Sequence, residues 1–128
     1  MLIGLLEDDL AIQEMLRLLL DSAGHEVAAY ASTEECLADL RVTDHAGGLS
    51  SPDLLFVDLR LAKAASGTAV IELIRANPRL YALPIILMTA SAFPDKQELE
   101  RLRVKLLLKP FDIDDVVQLV DELTGHLS

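Results

Sequence analysis

Four groups of reactive side chains each sit directly behind an apolar run. Glu7, Asp8 and Asp9 follow Leu2–Leu6, and Asp58 follows Leu54-Leu55-Phe56-Val57. Thr89 follows Ile85-Ile86-Leu87-Met88, and Lys109 follows Val104–Leu108. Carboxylates gathered in one place repel and raise one another's pKa, so keeping several ionised calls for a cation among them. Hard oxygen donors suit Mg²⁺, which keeps several waters and leaves room for phosphate oxygens. A carboxylate is also a nucleophile that can form an aspartyl phosphate. A metal ion and an ammonium group would then neutralise charge on the transferring phosphoryl, with a hydroxyl donating to a further oxygen.

Each group also has a plain structural use. Asp8 and Asp9 are residues favoured at a helix N-cap. Thr89 is common at a strand end, and Lys109 taken alone is a solvated charge. Asp58 is harder to explain away, because an unpaired charge closing so apolar a run is costly. It is the joint placement behind several runs that favours chemistry over structure.

The elements that must position these groups alternate in type. Short apolar runs read as buried parallel strands, and stretches with helical spacing lie between them. The first strand is Leu2–Leu6. A helix follows with Ile12, Met15, Leu16 and Leu19 inward, closed by Gly24. Glu26–Tyr30 is a weaker strand, and Ser32 or Thr33 caps a second helix carrying Leu37 and Leu40. Residues 43–52 read as a loop. Asp53–Val57 is the third strand, and 62–67 a further loop. The third helix runs to about Ala76 with Val70, Leu73 and Ile74 inward, and Asn77-Pro78 stops it. Strand four is Ile85–Met88, a short helix covers Asp95–Leu102, and strand five is Val104–Leu108. The last helix starts near Asp112 or Ile113, with Val116, Val117, Val120 and Leu123 inward. Regular alternation predicts an α/β fold, a five-stranded parallel sheet with helices on both faces and right-handed crossovers. In such a sheet ligands bind beyond the carboxyl ends of the strands, where the reactive groups lie.

Composition narrows the function. A chain of 128 residues fits one domain, 1–128. With 52% hydrophobic and 25% charged residues it is expected to fold rather than stay disordered. A formal charge of −10 argues against general nucleic-acid binding. No apolar run approaches the roughly 18 residues of a membrane span, and the N-terminus lacks a signal-peptide pattern, so a cytoplasmic location is expected. The lone cysteine, Cys36, excludes an internal disulfide and reads as a packed apolar residue. His25, His45 and His126 fit no metal spacing and read as surface residues.

Four segments in order, Leu5-Leu6-Glu7-Asp8-Asp9, Asp53–Leu59, Pro84–Ala90 and Leu108-Lys109-Pro110-Phe111, make the chain resemble the receiver domain of two-component response regulators, the CheY-like superfamily. The resemblance covers essentially the whole chain and implies a doubly wound, flavodoxin-like three-layer sandwich. It implies that Asp58 is the phosphoacceptor, and that Glu7, Asp8, Asp58 and the backbone carbonyl of Arg60 hold Mg²⁺ or Mn²⁺, Glu7 through water. Thr89 and Lys109 would contact the phosphoryl group, the Lys109-Pro110 bond would be cis, and Asp9 would cap the helix. The implied partner is a sensor histidine kinase or phosphotransfer protein. The output is an unnamed protein target, reached by a stand-alone receiver through the face of helix 4, strand 5 and helix 5.

The chain departs from the family pattern in places. Leu106 stands where an aromatic residue is usual on strand five, Ala62 where proline is common, and the segment from Thr89 to Lys109 is short and lacks a Gly-Ala turn. Arg101, Arg103 and Lys105 concentrate positive charge near strand five. They read either as protective charges on a sheet edge or as a docking face for an acidic surface, including a homodimer. Two other functions stay in view. One is a degenerate receiver that binds partners without phosphoryl chemistry. The other is a haloacid dehalogenase-type hydrolase, disfavoured because Arg60 occupies the place of that class's second acid.

Overall fold

A computed structural model of the chain describes residues 2–45, 52–58, 67–78, 80–89, 96–109 and 111–123. The elements are β1 (Leu2–Leu6), α1 (Leu10–Ser22), β2 (Glu26–Tyr30), α2 (Thr33–His45), β3 (Leu54–Asp58), α3 (Gly67–Arg75), β4 (Ile85–Thr89), α4 (Lys96–Leu102), β5 (Lys105–Leu108) and α5 (Ile113–Leu123). The strands form one parallel sheet in the order β2-β1-β3-β4-β5. The chain leaves β1 toward β2 on one side and returns to β3 on the other. That reversal between β1 and β3 opens a crevice at the carboxyl edge of the sheet.

The strand residues alternate between two apolar cores. Ile3, Leu5, Leu54, Phe56, Ile86 and Met88 pack under α1 and α5 with Leu16, Leu20, Val116 and Val120. Leu6, Leu55, Val57, Ile85 and Leu87 face α2, α3 and α4, against Cys36, Val70, Ile71, Ile74 and Leu102. Because β3 and β4 are buried on both sides, every residue in them is apolar except the last, Asp58 and Thr89.

Local chemistry sets the ends of the helices. Asp9 caps α1, its Oδ1 accepting from the amides of Ala11 and Ile12. Gly24, at φ +94°, closes α1 while the amides of Gly24 and His25 bond back to Asp21 and Leu20. Ser32 and Glu35 form the start of α2: Ser32 Oγ accepts from the Glu35 amide and Glu35 accepts from the Ala31 amide. At the end of α4, Arg103 takes the left-handed conformation (φ 57°) that a glycine would normally supply. Its guanidinium lies over the Tyr81 ring, 5.6 Å from the centroid, and donates to the Tyr81 carbonyl.

Several expected inward residues lie outward. Met15, Leu73 and Val117 are exposed, and the buried stripes are instead Leu16 and Leu20, Val70, Ile71 and Ile74, and Val116 and Val120. The reason is helix rotation: each stripe is narrower than the run of apolar residues, and the sheet admits only those within about a 100° arc. Met15 and Leu18 line a surface groove with Phe111 and Ile113 between α1 and α5. The second helix extends to His45, three residues into the segment expected to be loop. His25 is half-buried rather than at the surface. Among the described residues, no helix is long and apolar enough to cross a membrane.

Candidate phosphoacceptor and metal site

The described side chains that are both polar or charged and buried are Glu7, Asp58 and Thr89, and all three sit at the carboxyl ends of strands. Glu7 directly follows β1, and its amide continues the sheet by donating to the Tyr30 carbonyl at 3.1 Å. Asp58 ends β3 and Thr89 ends β4. Lys109 directly follows β5, anchored by its amide to the Thr89 carbonyl at 2.7 Å.

These ends converge on one site. The Lys109 ammonium lies 3.0 Å from Glu7 Oε1 and 3.5 Å from Asp58 Oδ1. Carboxylate oxygens of Glu7, Asp8 and Asp58 all lie within 4.8 Å of one another. Glu7 Oε2 accepts from the Asp9 amide at 3.1 Å, so both of its oxygens are engaged. The more exposed Asp8 is set in the same cluster, while Asp9 is occupied in capping, as its position in the sequence led one to expect.

The electrostatics follow from burial and crowding. Burial, then the neighbouring Asp58 carboxylate, pushes the Glu7 carboxyl up to about 7, against the opposing pull of the Asp9 amide and Lys109. Burial by itself would lower the Lys109 ammonium, but its hydrogen bond to Glu7 and the charges of Glu7 and Asp58 outweigh this and hold it above its ordinary value. When all three carboxylates are ionised, one ammonium leaves two negative charges uncompensated within the cluster, the charge of one Mg²⁺. The donors are all carboxylate oxygens, the ligand type that hard cations take. The cluster therefore fits the implied ion. Arg60 and Pro110 lie outside the described residues, and so do the expected carbonyl ligand and the cis bond.

Two residues that spacing alone did not single out tie the sheet ends to the helices, Gln13 at this edge and Arg75 at the opposite one, where the chain enters β4 and β5. Gln13 on α1 donates through Nε2 to the carbonyls of Glu7 and Tyr30, at 3.0 and 3.2 Å. Arg75 on α3 donates to four carbonyls, those of Tyr81, Leu83, Leu102 and Arg103, at 2.6–3.0 Å. The signal for Gln13 was a polar residue in the stripe of Leu16 and Leu20. The Arg101 guanidinium pairs with Glu72 at 2.6 Å, so that part of the basic patch ties α4 to α3.

A parallel sheet of this order with three acids and a lysine at its carboxyl edge defines a receiver architecture. Residues 3–121 match the response regulator receiver domain family, and the chain belongs to it. It is 31% identical over 124 residues to the DNA-binding transcriptional regulator NtrC of Klebsiella pneumoniae, covering 95% of this chain. The match spans 24% of that protein, so the chain corresponds to about a quarter of NtrC. A response regulator structure from Chloroflexus aurantiacus superposes with a TM-score of 0.84 at 28% identity, over 97% of each chain. The Mn²⁺-bound form of the response regulator Rcp1 superposes at 0.75 and 25% identity, over 97% of this chain and 91% of that one.

Proposed function

We propose that this receiver accepts a phosphoryl group on Asp58 from a phosphohistidine on a sensor histidine kinase or phosphotransfer protein, and signals by changing which protein it binds. The observation that carries the reading is the placement of one ammonium, that of Lys109, within 3.5 Å of Asp58 and 3.0 Å of Glu7 beside the acidic cluster. Mg²⁺ or Mn²⁺ would be held by Asp8 and Asp58, with Glu7 behind them, and the solved Mn²⁺-bound Rcp1 supports such an ion here. The bound cation would neutralise charge on the phosphoryl oxygens.

The chain's own groups account for the rest. An Asp58 carboxylate oxygen attacks phosphorus as the phosphorus–nitrogen bond breaks. The electron pair returns to the donor imidazole, which takes up a proton from solvent. Lys109 balances charge on one phosphoryl oxygen and the Thr89 hydroxyl donates to another. Water attack on the acyl phosphate reverses the modification. The unit is 1–128 acting as one receiver, and NtrC-like output on DNA would belong to other parts of such proteins.

The test is mass spectrometry of the wild type and Asp58→Asn after incubation with acetyl phosphate or phosphoramidate and Mg²⁺. One added phosphoryl group on the wild type alone is the expected result. Equal labelling of both proteins places the acceptor elsewhere. No labelling of either favours a phosphorylation-independent interaction module, the reading that Leu106, half-buried on β5 in place of an aromatic, also suits.

A further inference from the structure

We propose that Gln13 is a positioning residue for the divalent-cation ligands, acting through the backbone of Glu7. This rests on the metal reading above and names a residue that reading does not use.

The geometry begins with backbone bookkeeping. Pairing of β1 with β2 ends at Leu6↔Tyr30, and the next amide, that of Glu7, still bonds to the Tyr30 carbonyl. Beyond that point the Glu7 carbonyl needs a donor from elsewhere, and the Tyr30 carbonyl, already accepting from the Glu7 amide, keeps a second lone pair. The Gln13 side chain donates to both at once, 3.0 Å to Glu7 O and 3.2 Å to Tyr30 O. Only the amide nitrogen, with its two hydrogens, can face two carbonyl oxygens. The Gln13 backbone amide in turn donates to the Asp9 carbonyl at 2.9 Å, and the Asp9 amide donates to Glu7 Oε2. The turn from Glu7 to Asp9 is thus closed on three sides by one helical residue and one carboxylate.

The consequence for the site is directional. The Glu7 carbonyl and the Asp8 amide share one rigid peptide plane. Fixing that carbonyl fixes the plane, and with it the N–Cα bond of Asp8, at whose Cα the carboxylate side chain branches. Metal ligands must be held to within about 0.5 Å. A residue behind the ligands that sets such an orientation typically alters metal affinity by about 10–100-fold.

The experiment measures Mn²⁺ dissociation constants by electron paramagnetic resonance of free Mn²⁺ for wild type, Gln13→Met and Gln13→Arg, with thermal melting of each in chelator. Gln13→Met keeps the length and loses the donor, and about tenfold weaker Mn²⁺ binding is expected. Gln13→Arg restores donors and should return to within about threefold of wild type. A purely structural role would lower the melting temperature and leave the affinity of the folded protein unchanged. Gln13→Met binding as tightly as wild type, or Gln13→Arg as weakly as Gln13→Met, overturns the inference alone. Should Gln13→Met not fold, Gln13→Asn is measured instead. It keeps the amide but falls a methylene short of the two carbonyls, and wild-type affinity there overturns the inference equally. A wild type that does not bind Mn²⁺ overturns the metal reading, and the inference with it.

Discussion

The Lys109 ammonium and the Glu7 carboxylate, 102 positions apart in the chain, meet at 3.0 Å, with Glu7 fully buried. Lys109→Met would strip the one cation seen against that carboxylate. An orphaned buried charge typically costs roughly 3–5 kcal/mol. Glu7 can escape part of this by protonating, because its pKa already stands near 7. The expected loss of stability is about 1–3 kcal/mol at pH 8 and clearly less at pH 6. Urea unfolding at the two pH values measures it, and an equal loss at both would contradict the pairing.

The pH dependence of Glu7 has a definite sign. Its pKa in the folded protein, about 7, is raised from an ordinary 4.5, so the native state holds the proton more tightly than the unfolded chain. The associated stability is full below pH 4.5 and is lost as pH rises through 7. One proton corresponds to a slope of at most about 1.4 kcal/mol per pH unit. Without metal, Glu7→Gln should flatten this decline and be the more stable protein at pH 8. Saturating Mg²⁺ should reverse that order, because the wild type then gains binding energy that the variant has weakened. Chemical denaturation across pH 4.5–8, with and without Mg²⁺, checks both statements.

Arg75 illustrates how little net charge says about a cation's contribution. Its guanidinium joins α3 to the strand entry at Tyr81 and Leu83 and to the α4–β5 turn at Leu102 and Arg103. Arg75→Lys keeps the charge but cannot serve four carbonyls from one ammonium, and should cost about 2–3 kcal/mol. The exposed Arg101–Glu72 pair has a contact as short as the shortest of these, 2.6 Å, yet Glu72→Gln should cost no more than about 1 kcal/mol. Thermal or denaturant melts of the two variants side by side would reveal the contrast, and the opposite ranking would refute it.

Gly4 is required by close approach. A Cβ there would lie 2.8 Å from Leu55 Cδ1, with Pro52 and Tyr30 atoms at 3.6 Å. The nearest atom is the end of a side chain that can turn, so Gly4→Ala should cost about 1 kcal/mol, at the low end for overpacking. Adding Leu55→Val removes the obstructing methyl. The double variant should therefore lose less than the sum of the single losses, which a double-mutant cycle in urea reads directly.

Much of this was legible in the chain. β3 and β4 appear as unbroken apolar runs because both faces of those strands are covered, and Asp58 and Thr89 stood out as the polar residues that end them. The capping role of Asp9 and the burial of Cys36 were also readable; burial pushes that thiol up to about 12. Met15, Leu73 and Val117 were misplaced because apolar spacing defines a helix face only to within a residue or so. Arg75 gave no signal, since its partners are backbone carbonyls that every sequence contains.

By itself, then, the order of apolar runs and the residue types at their ends determined a parallel α/β sheet with acids, a hydroxyl and a lysine along one edge. Those are local properties, fixed by which side chains can be buried and which cannot. Tertiary structure alone decided that the Glu7 carboxylate turns inward to Lys109 and that Asp8 shares its cluster with Asp58. Those are distances between residues remote in the chain, and they exist only once the strand order brings β1 beside β3.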